Sequence, residues 1–249
     1  MKTYVIHYSN NIERKRDFGI DEHWVTTWDR EDLFVRWIRW YTQCPLSPNQ
    51  LSCTMKHLWC LWDMIENDHQ EAIILEDDVV FEEQWLEKFM SVQKPDGILF
   101  IKLGSIFIDI PFNDKLYQLG NPGGTEALWI TRKFAKHVLQ RLNFQQSIDI
   151  FYGAILNSLG HPLVCVPVCS QTSVFTHETT VGENKSNINW IEYIKNFSKY
   201  NKYSLENLLK EFEIFKKCKI TWEKKFNKRF NCSIELNNFN YLNKELNTL

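Results

Sequence analysis

The chain has 249 residues, 44% hydrophobic and 14% aromatic, which is enough to build a full core and excludes global disorder. Only nine Gly and seven Pro argue against an all-β design with many turns, and no run is long enough to span a bilayer. The formal charge of −2 hides an asymmetry: residues 181–249 hold thirteen Lys/Arg against eight Asp/Glu, so a basic tail follows an acidic body.

In chain order, Tyr4-Val5-Ile6-His7-Tyr8 reads as a first strand closed by the turn Ser9-Asn10-Asn11. The basic cluster Ile12-Glu13-Arg14-Lys15-Arg16 comes next. It is either an exposed charged helix or, in an α/β sheet, the place where a nucleotide diphosphate meets planar guanidinium forks. Leu33, Phe34, Trp37, Ile38 and Tyr41 recur at helical spacing. After the loop 44–48, the residues from Ser52 to Ile65 predict a second helix facing inward through Leu58, Leu61, Trp62 and Ile65. Tryptophans 24, 28, 37, 40, 59 and 62 crowd this third of the chain, as core packing or as platforms for a sugar face.

Ala72-Ile73-Ile74-Leu75 predicts a buried strand, central in a parallel sheet, running directly into Glu76-Asp77-Asp78. Alternation along a strand puts Glu76 and Asp78 on one side and Asp77 on the other. Two carboxylates side by side at a strand end repel unless a cation lies between them, and hard divalent ions accept such oxygen ligands while holding a diphosphate. A solvated acidic turn is the plainer alternative. A helix over 82–90, a turn at 95–97 and a strand over 98–101 follow. The loop 121–125 contains adjacent glycines, which allow positive φ and close backbone approach. Ala127–Ile130 is a strand, Thr131 an N-cap for the helix 132–142, and Asp149 stands at the head of the helix 151–159. The last clear strand is 163–168, with Gln171, Ser173 and His177 beyond it. From Trp190 to Phe230 the pattern is helical with lysines on the outer face, suited to packing on the body or on a second copy, or to lying on an anionic membrane. The seven cysteines are odd in number and form no C-x-x-C, so they read as reduced, mostly packing thiols. With no signal-peptide pattern at Met1-Lys2-Thr3, the expectation is a cytoplasmic protein, peripheral to a membrane at most.

Four blocks in one order resemble glycosyltransferase family 25, which includes lipooligosaccharide-type and collagen galactosyltransferases. They are the first strand with Arg14 and Arg16, then Ser52-Cys53-Thr54-Met55-Lys56-His57-Leu58, then Leu75-Glu76-Asp77-Asp78-Val79, and then Gly124-Thr125 with Ile130-Thr131-Arg132, Ala135 and Ile148-Asp149. Lys56 stands where the family usually has Ser, and Ser52 where it has Gly. The resemblance implies an α/β fold of the GT-A (Rossmann-like) nucleotide-diphospho-sugar transferase type over residues 1–180, with a basic, mainly helical C-terminal extension over 181–249. It implies transfer of a hexose from a UDP-sugar, galactose or glucose, to a glycan or glycoprotein acceptor with inversion, and no nucleic-acid partner. Donor contacts are expected at Ile6, Tyr8, Arg14, Lys56, Glu76, Asp77, Gly124 and Thr125. A Mn²⁺ or Mg²⁺ ion would be held by Asp78, Glu76 and His177, and Asp149 would be the catalytic base. The residues alone leave two other classes open: a metal-dependent phosphohydrolase using the same acidic strand end, and a silent sugar-binding module.

Overall fold

The computed structural model describes residues 1–104, 117–118, 124–171 and 204–214. The chain divides into two units, Met1–Leu205 and Glu206–Leu249. In the first unit the elements run β1 (Lys2–Ile6), a 3-10 turn (Ile12–Arg14), β2 (Glu22–Val25), α1 (Leu33–Tyr41), α2 (Pro48–Glu66), β3 (Glu71–Glu76), β4 (Val79–Phe81) and α3 (Trp85–Ser91). They continue with β5 (Phe100–Gly104), β6 (Tyr117–Gln118), β7 (Ala127–Thr131), α4 (Arg132–Leu139), α5 (Ile148–Ser158) and β8 (Val164–Gln171). A further helix spans 205–214, and residues 215–249 lie outside the description, as do His177 and most of the helical tail read from the sequence. Among the described residues no helix is long and apolar enough to cross a membrane.

The strands form one mixed sheet in the order β2-β1-β3-β7-β5-β8-β4, with β6 beside β8. β3 is central, as its apolar run predicts, but only its β1 side is parallel; β7 pairs with it antiparallel. The sheet is therefore less parallel than the sequence suggested. A strand buried on both faces has the same apolar pattern in either direction, so periodicity carries no sign for β7. The reversal matters, because it brings the N-terminal end of β7 beside the C-terminal end of β3.

The link from β3 to β4 is only Asp77-Asp78, yet β4 pairs with β8, four places away in the sheet order. A flat sheet would put them about 19 Å apart at the usual strand spacing, whereas the step from Glu76 to Val79 spans at most about 11 Å. The sheet must curl, and β8 provides the bend. Its first part pairs parallel with β5, its end pairs with β4, and the register slips between Lys102 and Gly104. Gly104 sits at that slip, where a Cβ would lie 2.5 Å from the Cys169 carbonyl oxygen and 2.7 Å from its Sγ. Gly104→Ala is expected to cost about 1–3 kcal/mol through overpacking, read as a lower urea midpoint at unchanged m-value. A wild-type midpoint would show that β8 can move aside.

Two layers cover the sheet. Val5, Ile73, Leu75, Ile101, Leu103 and Trp129 point to one face, where Trp85 and Phe89 of α3 complete a buried cluster. By alternation Ala72 and Ile74 point to the opposite face, and α2 packs against β1 and β3. α2 starts four residues earlier than its apolar stripe suggests. Ser47 Oγ accepts from the Gln50 amide, the Gln50 side chain accepts from the Ser47 amide, and Pro48 follows as the first helical residue. The buried stripe is accordingly Leu51, Met55, Leu58 and Leu61, while Trp62 is exposed.

Candidate active site

The site forms where β1 and β3 end side by side, with Ile6 paired to Glu76. Alternation on β3 sends Glu76 to the α2 face and Asp77, in line with Ile73 and Leu75, to the other. His7 continues the Val5 side of β1, and its Nδ1 lies 2.7 Å from Asp77 Oδ2, both groups buried. The edge of the Trp24 ring lies against the same imidazole, with ring centroids 5.2 Å apart. Asp77 is thus anchored from below by His7.

The basic cluster forms a single 3-10 turn, not a projecting helix, and it folds back over the acidic turn. Arg14 Nη1 lies 3.3 Å from Asp77 Oδ1 and 3.5 Å from Asp78 Oδ2. Arg16 donates to the Val79 carbonyl. One guanidinium therefore bridges two adjacent carboxylates and remains partly exposed, which leaves it able to meet an incoming anion.

Lys56 occupies a different position. It is 2% exposed, and its ammonium is bound to Asp29 and to the His7 carbonyl. Asp29 is also bonded by the Ser9 hydroxyl and amide. This buried tie fastens α2 to the segments after β1 and before α1, so Arg14 is the cation nearer the opening. Tyr8 lies to the side, donating to Glu31 at 2.9 Å and accepting from Arg30 at 2.9 Å.

On the α2 face, three consecutive residues ahead of β7 line up with the carboxylates. Gly124, with φ of +79°, donates its amide to Asp149 Oδ2 at 3.2 Å. Thr125 Oγ1 donates to Glu76 Oε1 at 2.5 Å. Glu126 accepts the Glu76 amide on its carbonyl at 2.8 Å and turns its side chain inward. A residue with a Cβ would be strained at the Gly124 φ, which is why the glycine of this Gly-Thr pair is needed. Asp149, in the first turn of α5, also accepts from Ser147 Oγ. The two ends of the sequence pattern, Glu76 and Asp149, are therefore joined through one short segment.

The electrostatics are unusual for such a buried place. Burial pushes Glu76 up, but the His57 imidazole, the Thr125 hydroxyl and the Lys102 ammonium outweigh it and hold the carboxyl below its ordinary value. Burial raises the Cys53 thiol well above its usual range, and Glu76, Asp149 and Asp78 add to this while Lys56 partly offsets it. All three carboxylates thus act on one thiol of α2. Lys102 and Glu126 are fully buried, with Nζ and Oε1 3.7 Å apart, and burial raises Glu126 although Lys102 opposes it.

The expected residues Glu76, Asp77, Asp78, Arg14, Gly124, Thr125 and Asp149 are thus brought to one strand end, with Ile6 buried beneath. Lys56 is held inside, Tyr8 stands beside Arg30, and His177 lies outside the described residues. His7, Asp29, Lys102 and Glu126 were missed. A signal existed for Lys102, a lone charge within the apolar run 98–103, and for Glu126, an acid directly before an apolar strand.

The donor set at the strand end suits a hard divalent cation, since Glu76 and Asp78 are partly exposed carboxylates and such ions commonly take one or two of these plus substrate phosphates. No curated protein matches the chain. The family model described as Glycosyltransferase family 25 (LPS biosynthesis protein) matches residues 23–151, more than half of the chain and the part that holds α2, the acidic strand end, Thr125 and Asp149. With the mixed α/β sheet and this cluster at its strand ends, the chain belongs to glycosyltransferase family 25 and is a glycosyltransferase, taking a sugar donor and a glycan acceptor.

Proposed function

We propose that the protein moves a hexose from a UDP-sugar to a glycan or glycoprotein acceptor, with inversion at the anomeric carbon. The observation that carries this reading is the convergence of Glu76 and Asp149 on the Gly124–Thr125 segment, with Arg14 bridging Asp77 and Asp78 on the adjoining turn. The Arg14 fork contacts the donor diphosphate, exchanging part of its hold on Asp77 and Asp78 for phosphate oxygens. Lys56 and His7 act from beneath by fixing the loops that carry Arg14 and Asp77. Glu76 and Asp78, with His177 completing the set, would hold Mn²⁺ or Mg²⁺, which when bound supplies positive charge against the leaving diphosphate.

Asp149 accepts the proton of the acceptor hydroxyl as that oxygen attacks the anomeric carbon and the UDP oxygen leaves. Its two neighbours, the Gly124 amide and the Ser147 hydroxyl, keep it oriented. The buried Lys102 charge helps keep Glu76 ionised at the other edge of the site.

The test is a panel of nucleotide sugars incubated with the purified chain and Mn²⁺ or EDTA, with released nucleotide as the readout. Metal-dependent release from one UDP-sugar, lost in Asp78→Asn, is the expected result. No release from any donor, together with no rise in melting temperature on adding UDP, would overturn it.

A further inference from the structure

Beneath the acidic strand end a thiol, an imidazole and a carboxylate meet in one place. Cys53 and His57 stand one turn apart on α2, and Glu76 reaches them from β3. Cys53 Sγ is 3.9 Å and His57 Nε2 is 3.8 Å from the same oxygen, Glu76 Oε1. One ligand atom from each residue lies within 4.8 Å of the other two.

His57 is the informative member. It is 0% exposed, and its Nε2 makes no hydrogen bond although it is aimed at the cluster. A buried ring nitrogen left in that state costs free energy, which a ligand would recover. Its other nitrogen, Nδ1, faces the Tyr152 hydroxyl at 3.4 Å. Tyr152 is fully buried and its hydroxyl is held neutral by that burial, so it can accept from Nδ1–H when an ion takes the place of the Nε2 proton that faces Glu76. A hydrogen-bond partner on the far ring nitrogen is the usual arrangement behind a metal-ligating imidazole.

We propose that Cys53, His57 and Glu76 form a binding site for a borderline-soft divalent cation of the Zn²⁺ class, different in ligand chemistry from the hard-ion site at Glu76 and Asp78, with which it shares Glu76. Thiolate, imidazole and carboxylate in tetrahedral array around zinc place their ligand atoms about 3.3–3.6 Å apart, given the usual bond lengths. The 3.8 and 3.9 Å distances to the Glu76 oxygen would shorten by a few tenths of an ångström to reach this. The i, i+4 placement on α2 fixes two ligands on a rigid element, and the fourth position is left to water. The ion would take the Glu76 oxygen that now accepts from Thr125. Zn²⁺ would therefore compete with the Glu76 role in donor binding and act as an inhibitor; this consequence rests on the transfer reading, whereas the binding itself does not.

Co²⁺ is the probe, because a thiolate bound to it gives a ligand-to-metal charge-transfer band and tetrahedral coordination gives intense visible bands. The full-length chain titrated with Co²⁺ should develop both at one equivalent, and Zn²⁺ should abolish them. Cys53→Ser should remove the charge-transfer band while the far-ultraviolet circular dichroism is unchanged. Glu76→Gln, with its fold checked by the same dichroism, should keep the band but weaken Co²⁺ binding at least tenfold. Absence of any thiolate band in the folded wild-type chain would overturn the proposal, as would a band that survives Cys53→Ser. Because no sugar nucleotide is present, failure here leaves the transfer reading standing, and failure of the donor panel leaves this site standing.

Discussion

Replacing Asp149 with asparagine is expected to lower sugar-transfer turnover by about 10²- to 10⁴-fold, the usual contribution of a positioned base, with little change in donor KM or in melting temperature. The substitution separates two jobs that the structure gives this residue. As a structural group, Asp149 accepts from the Gly124 amide at 3.2 Å and from Ser147 Oγ. An asparagine carbonyl oxygen can still accept from the Gly124 amide, while its NH2 can donate to a reoriented Ser147 hydroxyl, so the segment that carries Thr125 stays in register. As a base, Asp149 must take a proton, and an amide cannot. Steady-state kinetics with saturating donor and varied acceptor will separate the two. Near-wild-type turnover would reduce Asp149 to an anchor for Gly124 and move the base elsewhere.

Replacing Lys102 with methionine is expected to destabilise the fold by about 3–5 kcal/mol, the cost of leaving one member of a buried ion pair alone. For a chain of this size that is a fall in melting temperature of roughly 6–20 °C. Lys102 is 1% exposed and Glu126 0%, and both Glu126 carboxylate oxygens lack a hydrogen bond, so the ammonium 3.7 Å away is what compensates that charge. Burial already drives the Glu126 carboxyl up, and without Lys102 it would have to fold protonated. Lys102→Met combined with Glu126→Met should recover most of the loss, because two apolar side chains of similar length remove both charges together. Calorimetry on the two single variants and the double variant closes the cycle. A double variant whose loss equals the sum of the single losses would show that the pair is not coupled. The same Lys102 charge helps hold Glu76 ionised, so the single variant should also weaken whatever binds at Glu76.

Much of this molecule can be read from neighbouring residues in the chain. The apolar run 72–75 determined a buried central strand, and its abrupt end placed three carboxylates together at the end of that strand. Thr131 determined a helix start, since its hydroxyl accepts from the Phe134 amide as the pattern requires. The first strand, α1, α2, α4 and α5 are likewise local consequences of periodicity and caps, and β5 lies two to three residues beyond the predicted 98–101, where β7 and β8 pair with it. β2 and β4 went unseen. They are short, and they are strands because β1 and β8 offer them a ladder, which a sequence window cannot contain.

The assignments of individual charges belonged to the tertiary structure. Lys56 looks like a diphosphate contact by its motif, but Asp29, twenty-seven residues away, takes its charge. His7 and Asp77 are seventy residues apart and meet only because β1 and β3 are parallel neighbours. Gly124, Thr125 and Glu126 reach Asp149, Glu76 and Lys102 only because β7 runs antiparallel to β3. The sequence by itself determined the helices, the longer strands, the family blocks and the acidic strand end, because caps and hydrophobic period act within a few residues. Strand direction and the pairing of buried charges were decided by the folded sheet, because desolvation and Coulomb terms depend on which groups are close in space and not on which are close in the chain.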